Sequence, residues 1–287
     1  MSPRSPDPAR QSSPWSADPV TAAADIVGRV VLVDPAAAAV LSDLDGTLAT
    51  IVTDPAAARP LPGVPSVLGR LARAVGVVGV ISGRPAAFLA EHLAGAGDRV
   101  QLVGSYGLER VAGGVVRLDP AFEHWAPRVA EVTARARSEA PADVLVEAKP
   151  ATVVLHWRAA PDREAWCQAA AERWARQTGL ELVPARMAIE LRPPIPADKG
   201  TAAASLAAGC RTVVFAGDDS GDLAAFDALD ALAATGVSSV KVVVGAAETP
   251  PALLARADLV VPEPAIWLQI LEHLADALEQ AGRATIS

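Results

Sequence analysis

The sequence predicts an α/β protein built on a doubly wound parallel sheet, with a smaller α+β module inserted into it. Two observations carry that prediction. Short apolar runs of strand length alternate with helix-length stretches from residue 37 to 103 and again from 200 to 280. Between them, residues 109–194 hold short strands and two helices in a different rhythm. A βαβαβ alternation implies parallel neighbours, because a parallel pair needs a crossover that a helix supplies.

The first run, residues 37–42, is bounded by Asp43-Leu44-Asp45-Gly46-Thr47 and reads as a buried strand ending in a loop. Residues 64–75, framed by Pro and Gly, fit a crossover helix. It leads to a second strand at 77–81 that stops at Ser82-Gly83-Arg84-Pro85, then to a helix at 85–93 and a strand at 100–103. Within the module, strands are expected at 115–118, 144–147, 153–157 and 188–191, and helices at 127–139 and 163–177. The alternation resumes with a helix at 200–208 and a strand at 212–216 ending in Gly217-Asp218-Asp219. A helix at 222–228, strands at 240–244 and 259–261 and a helix at 265–280 follow. These readings divide the chain into a mostly disordered Pro- and Ser-rich tail at 1–36, a core at 37–108 and 195–287, and the inserted module at 109–194.

The 287 residues carry 25 basic and 33 acidic side chains, a net charge of −8, which argues against a nucleic-acid partner. No apolar stretch reaches the ~18 residues a membrane span needs, so no membrane partner is expected. The N-terminal residues lack the apolar centre of a secretory leader, and the expectation is a cytoplasmic protein. Cys167 and Cys210 have no CxxC partner, and the four histidines show no ligand spacing. Any metal is therefore held mainly by oxygen.

The chemistry gathers just after the apolar runs, where an open parallel sheet binds ligands beyond the carboxyl ends of its strands. Asp43 and Asp45 stand two apart after the first strand and point the same way if extended geometry continues. Ser82 and Gly83 offer a hydroxyl and exposed amides at a helix start, an anion site. The chain has only three lysines, Lys149, Lys199 and Lys241, against 22 arginines. A compact ammonium at Lys199, opening a helix, thus reads as a chemical requirement rather than a generic positive charge. Asp218, Asp219 and Asp222 place three carboxylates within five residues, a density that needs a cation or solvent, and such hard oxygens suit Mg²⁺. Each loop alone is also an ordinary turn or cap; their conjunction in this order is what points to a phosphate-handling centre.

These four segments resemble the motifs of the haloacid-dehalogenase superfamily, and the likeness runs from about residue 40 to 278. Within that superfamily LSDLDGTLATIV, ISGRP, EAKPATVVLHWR, IELRPPIPADKG and FAGDDSGDLAAFDAL are similar to the trehalose-6-phosphate phosphatases. The resemblance implies a Rossmann-like core with an inserted α/β cap, and hydrolysis of a small-molecule sugar phosphate with Mg²⁺. It implies Asp43 as nucleophile, Asp45 as acid and base, and Ser82, Gly83 and Lys199 as phosphate ligands. The metal falls to Asp43, the Asp45 carbonyl and Asp218, with Asp219 and Asp222 behind them. Sugar hydroxyls fall to the module, where His156 and Arg158 are candidates and two pairs are favoured because each shares a strand face: Glu147 with Lys149, and Glu190 with Arg192. Two departures stand out: Tyr106 where the family often has His before Gly, and GDDSGDL where it often has GDDxTDE. The core motifs do not encode the sugar, so sucrose phosphate, mannosyl phosphoglycerate and a weakly active or regulatory protein are the alternatives.

Overall fold

The apolar runs pair into two sheets. The computed structural model describes residues 17–52, 54, 57–185, 187–245 and 249–286. Its strands are β1 (Ala38–Ser42), β2 (Val77–Ile81), β3 (Val100–Gly104), β4 (Glu109–Ala112), β5 (Val115–Leu118), β6 (Leu145–Ala148), β7 (Val153–His156), β8 (Glu181–Ala185), β9 (Ala188–Arg192), β10 (Thr212–Gly217), β11 (Ser238–Val244) and β12 (Leu259–Val261). Its helices are α1 (Ala17–Val31), α2 (Val64–Ala74), α3 (Ala86–His92), α4 (Pro120–Glu123), α5 (Ala126–Glu139), α6 (Glu164–Thr178), α7 (Lys199–Leu206), α8 (Leu223–Ala233), α9 (Pro251–Leu254) and α10 (Pro264–Ile286).

The larger sheet runs β12-β11-β10-β1-β2-β3-β4-β5, parallel from β12 to β3. Its central strands β1 and β10 are buried along their whole length, which is why they read as unbroken apolar runs rather than alternating ones. One face packs against α1, α2 and α10, where Val27, Leu71 and Trp267 are buried. The other packs against α7 and α8 through Leu206, Phe226 and Leu229. Helices on both faces make the sheet doubly wound. Trp267 is fully buried, and its indole N–H donates to the Ser42 hydroxyl at 3.2 Å, so the core reaches the last residue of β1. Truncating such an aromatic to Ala costs about 3–5 kcal/mol.

The smaller sheet, β6-β7-β9-β8, is antiparallel. Val153, Leu155, Ile189 and Leu191 alternate onto the face covered by α5 and α6, around the buried Trp174. The intervening residues Glu147, Val154 and Glu190 form one row across three strands on the opposite face.

Two expectations are corrected. The tail expected at 1–36 is in part a packed helix: Val20, Ala23, Ala24, Val27 and Val31 of α1 recur at helical spacing and are buried against the core. Residues 1–16 lie outside the described residues. The module does not begin at 109, because β4 and β5 extend the larger sheet as an antiparallel hairpin, Leu102 opposite Val111 and Val111 opposite Val116. A hairpin needs no crossover and joins the nearest open edge, here that of β3.

Candidate active site

Asp43 and Asp218 come together because β1 and β10 are neighbours, with Ser42 opposite Ala216. The loops that follow emerge side by side, and the Asp43 N–H donates to the Ala216 carbonyl at 2.8 Å. Gly46 makes the approach feasible: its φ is +77°, and a Cβ there would lie 2.1 Å from the Asp218 carboxylate. Thr47 donates from its hydroxyl to Asp218 at 3.2 Å. Carboxylate oxygens of Asp43, Asp218 and Asp222 all lie within 4.8 Å of one another, and all three residues are buried.

Lys199 is set by a capping box in which Asp198 accepts from the Thr201 N–H and Thr201 accepts from the Asp198 N–H. Its ammonium lies 2.8 Å from Asp222, 3.0 Å from Asp43 and 3.7 Å from Asp219. Burial alone weakens its hold on the proton, but Asp43, Asp222 and Asp219 outweigh that and keep the group above the ordinary lysine range. Asp222 has both oxygens engaged, one by Lys199 and the other by the N–H groups of Asp218 and Asp219. Burial, then Asp222 and Asp219, push the Asp218 carboxyl up to about 7. Burial also raises Asp43, against the pull of Lys199. Ionised together, the three carboxylates would leave two negative charges beyond the one ammonium, and hard oxygen donors in that state fit a divalent cation.

Ser82, 1% exposed, accepts the Arg84 N–H at 3.1 Å and lines the cleft with Gly83. Arg84 donates to both oxygens of Asp45, each at 2.8 Å, and lies over the Phe88 ring. Sequence reasoning assigned Arg84 no role; its only signal was its place in the loop carrying Ser82. Beyond β3, Ser105, Tyr106 and Gly107 all have positive φ, +49°, +58° and +112°. Such a conformation costs a bulky residue about 1–3 kcal/mol. Glu109, another residue that sequence reasoning passed over, is buried at the start of β4 and accepts the Ala86 N–H at 2.6 Å, tying β4 to the first residue of α3.

Asp43, Asp45, Ser82, Gly83, Lys199 and Asp219 share a cleft of about 310 Å³ with Glu147 of β6 and Lys149 just beyond that strand. Glu190 and Arg192 line a narrower adjoining cavity, which Lys149 also borders. The two parity pairs therefore both face the core. Glu190 accepts the Thr152 hydroxyl at 2.6 Å. His156 faces Glu147 at 2.9 Å instead of lining the cleft, and Arg158 is exposed and borders neither cavity.

Residues 41–253 match the sequence profile described as trehalose-phosphatase. The chain belongs to the trehalose-phosphatase family. A trehalose-phosphate phosphatase of Mycolicibacterium paratuberculosis is 35% identical over 254 residues, 84% of this chain and 63% of that protein, so the chain spans less than two thirds of that relative's length. A solved trehalose-6-phosphate phosphatase related protein superposes with a TM-score of 0.66 at 24% identity, over 85% of this chain and 99% of the other. A haloacid dehalogenase-like hydrolase from Bacteroides thetaiotaomicron superposes at 0.53 with 15% identity, over 85% and 98%. At those identities the likeness is one of fold, and it fits a family member with the haloacid-dehalogenase architecture. Among the described residues, no helix is long and apolar enough to cross a membrane.

Proposed function

We propose that this chain hydrolyses trehalose 6-phosphate to trehalose and phosphate with a bound Mg²⁺, passing the phosphoryl group through Asp43. The observation that carries the reading is Lys199, buried between Asp43 and Asp222 at the floor of a cleft whose other wall is Glu147 and Lys149. Membership of the trehalose-phosphatase family supports trehalose as the sugar.

Asp43 and Asp218, with the Asp45 main-chain carbonyl, would hold the Mg²⁺, which draws charge from the phosphoryl oxygens when bound. Asp222, with both oxygens engaged, fixes Lys199 instead; Asp219, at the rim, would orient water once the metal is bound. The Ser82 hydroxyl, the Gly83 amide and Lys199 hold the phosphoryl oxygens, where fixed donors match developing charge. An Asp43 oxygen attacks phosphorus as the bond to the sugar oxygen breaks, and Asp45 gives that oxygen its proton. Water then attacks the phosphoryl group on Asp43, passes its proton to Asp45 and releases phosphate, regenerating both acids. Arg84 keeps the Asp45 carboxylate at the cleft wall, and one of its two hydrogen bonds gives way when Asp45 carries the proton. Glu147, Lys149, Glu190 and Arg192 receive the sugar hydroxyls as the residues carried by the smaller sheet act as a cap that excludes bulk water.

Phosphate release across a panel of sugar phosphates, with and without Mg²⁺, tests the reading. Trehalose 6-phosphate should lead sucrose phosphate and mannosyl phosphoglycerate by more than roughly tenfold in kcat/KM, about 1.4 kcal/mol. A lead for another sugar overturns the trehalose assignment.

A further inference from the structure

The phenol of Tyr106 sits where the two cavities meet. It lines the phosphate cleft with Asp43 and Lys199, and also the narrower cavity with Thr152, Glu190 and Arg192. Its ring lies directly over Gly83: a Cβ at that glycine would be 2.6 Å from Cζ and 2.7 Å from the hydroxyl oxygen. The residue remains 46% exposed although it stands at the centre of the site. Its backbone is left-handed, φ +58° and ψ +26°, a conformation tyrosine adopts only when its surroundings impose it. Those surroundings are visible: the Ser105 N–H donates to the Arg84 carbonyl at 2.8 Å and the Tyr106 N–H to the Ser82 carbonyl at 3.1 Å. The strained corner is thus bolted to the loop that carries Ser82 and Gly83, and its outcome is to aim one aromatic side chain into the junction. Strain of this kind gathers at ligand clamps.

We propose that Tyr106 determines which sugar phosphates the site accepts, its phenol forming the wall against which the ring of the departing sugar packs. An aromatic body with a polar tip suits a pyranose, apolar on its C–H face and polar at its rim. Burial first, then Asp219, Glu190 and Asp43, raise the phenol above its ordinary range against the pull of Lys199, so the hydroxyl stays protonated at neutral pH and can donate. The proposal rests on the phosphatase reading above and adds to it the residue that selects the leaving group.

The test compares wild type, Tyr106→Ala and Tyr106→Phe on two substrates: the sugar phosphate wild type cleaves best, and acetyl phosphate, which has no sugar to pack. Tyr106→Ala should lose about thirtyfold in kcat/KM on the sugar phosphate, mainly through KM, and at least tenfold less on acetyl phosphate. Tyr106→Phe, which keeps the wall, should stay within about fivefold on the sugar phosphate. Equal losses on both substrates in a folded Tyr106→Ala protein would reduce Tyr106 to a prop for the phosphate loop and overturn the proposal, as would no loss on either. If wild type cleaves another sugar phosphate but not the trehalose ester, the trehalose reading fails while Tyr106 is judged on that other substrate. If wild type cleaves acetyl phosphate and no sugar phosphate, both fall.

Discussion

Arg84 grips Asp45 through two parallel hydrogen bonds, Nε to one carboxylate oxygen and Nη2 to the other, each 2.8 Å long. A planar fork fixes both the position and the rotation of a carboxylate, which a single ammonium cannot do. Arg84→Lys keeps the charge and loses the fork. We expect kcat on trehalose 6-phosphate to fall by about tenfold in this variant, about 1.4 kcal/mol of barrier, with the melting temperature little changed. Steady-state kinetics beside a thermal melt decide it; an unaltered kcat means Asp45 needs no such anchor.

Removing Lys199 leaves Asp43 and Asp222 facing each other without the cation that lies 3.0 and 2.8 Å from them. Breaking a buried pair from one side typically costs about 3–5 kcal/mol. Lys199→Met should lose stability on that scale in urea titrations and lose turnover altogether. Adding Asp222→Asn should restore much of the stability and none of the turnover. A single variant as stable as wild type would mean that the charges around Lys199 are not coupled.

The uncompensated charge of Asp43, Asp218 and Asp222 makes the fold itself a reporter of metal. Chelation should abolish activity reversibly, and Mg²⁺ at about a hundred times its Kd should stabilise the chelated protein by about 2.7 kcal/mol. Asp218→Asn should shrink that gain markedly, and Asp43→Asn should end turnover while the protein stays folded. Calorimetric melts with stepped Mg²⁺ provide the readout, and a melting temperature indifferent to the ion would remove the metal from this site.

Glu109 gives the fold a pH dependence of its own. Burial raises its carboxyl above the ordinary value of 4.5, partly offset by the hydrogen bond from the Ala86 N–H. The folded protein therefore holds that proton more tightly than the unfolded chain. Its contribution to stability is fully present below pH 4.5 and is lost as pH rises through the higher folded value. Glu109→Gln should flatten this part of the stability profile relative to wild type. Urea midpoints at several pH values check it, and parallel profiles for the two proteins would contradict it.

The central strands and the four motif loops were legible because their signals are local: an unbroken apolar run, then Asp, Ser or Gly at the point where the strand stops. The parity of Glu147 with Lys149 and of Glu190 with Arg192 was legible for the same reason. Helix α1 carries its own signal, the helical spacing of Val20, Ala23, Ala24, Val27 and Val31, but the Pro- and Ser-rich stretch before it drew the whole of 1–36 into one expected tail. Strand β8 contains Pro184, which argues against a strand; it is tolerated because β8 is the edge of its sheet. Most hidden was the bond between Arg84 and Asp45, 39 positions apart, which exists only once β2 lies beside β1.

Helix α1 also governs how this protein is best handled at the bench. Val20, Ala23, Val27 and Val31 shield one flank of the larger sheet from water. A gene trimmed to start at the first strand would keep every motif discussed above and still yield an oily, self-sticking product. Inclusion bodies from such a trimmed gene would say nothing about whether the catalytic apparatus is sound.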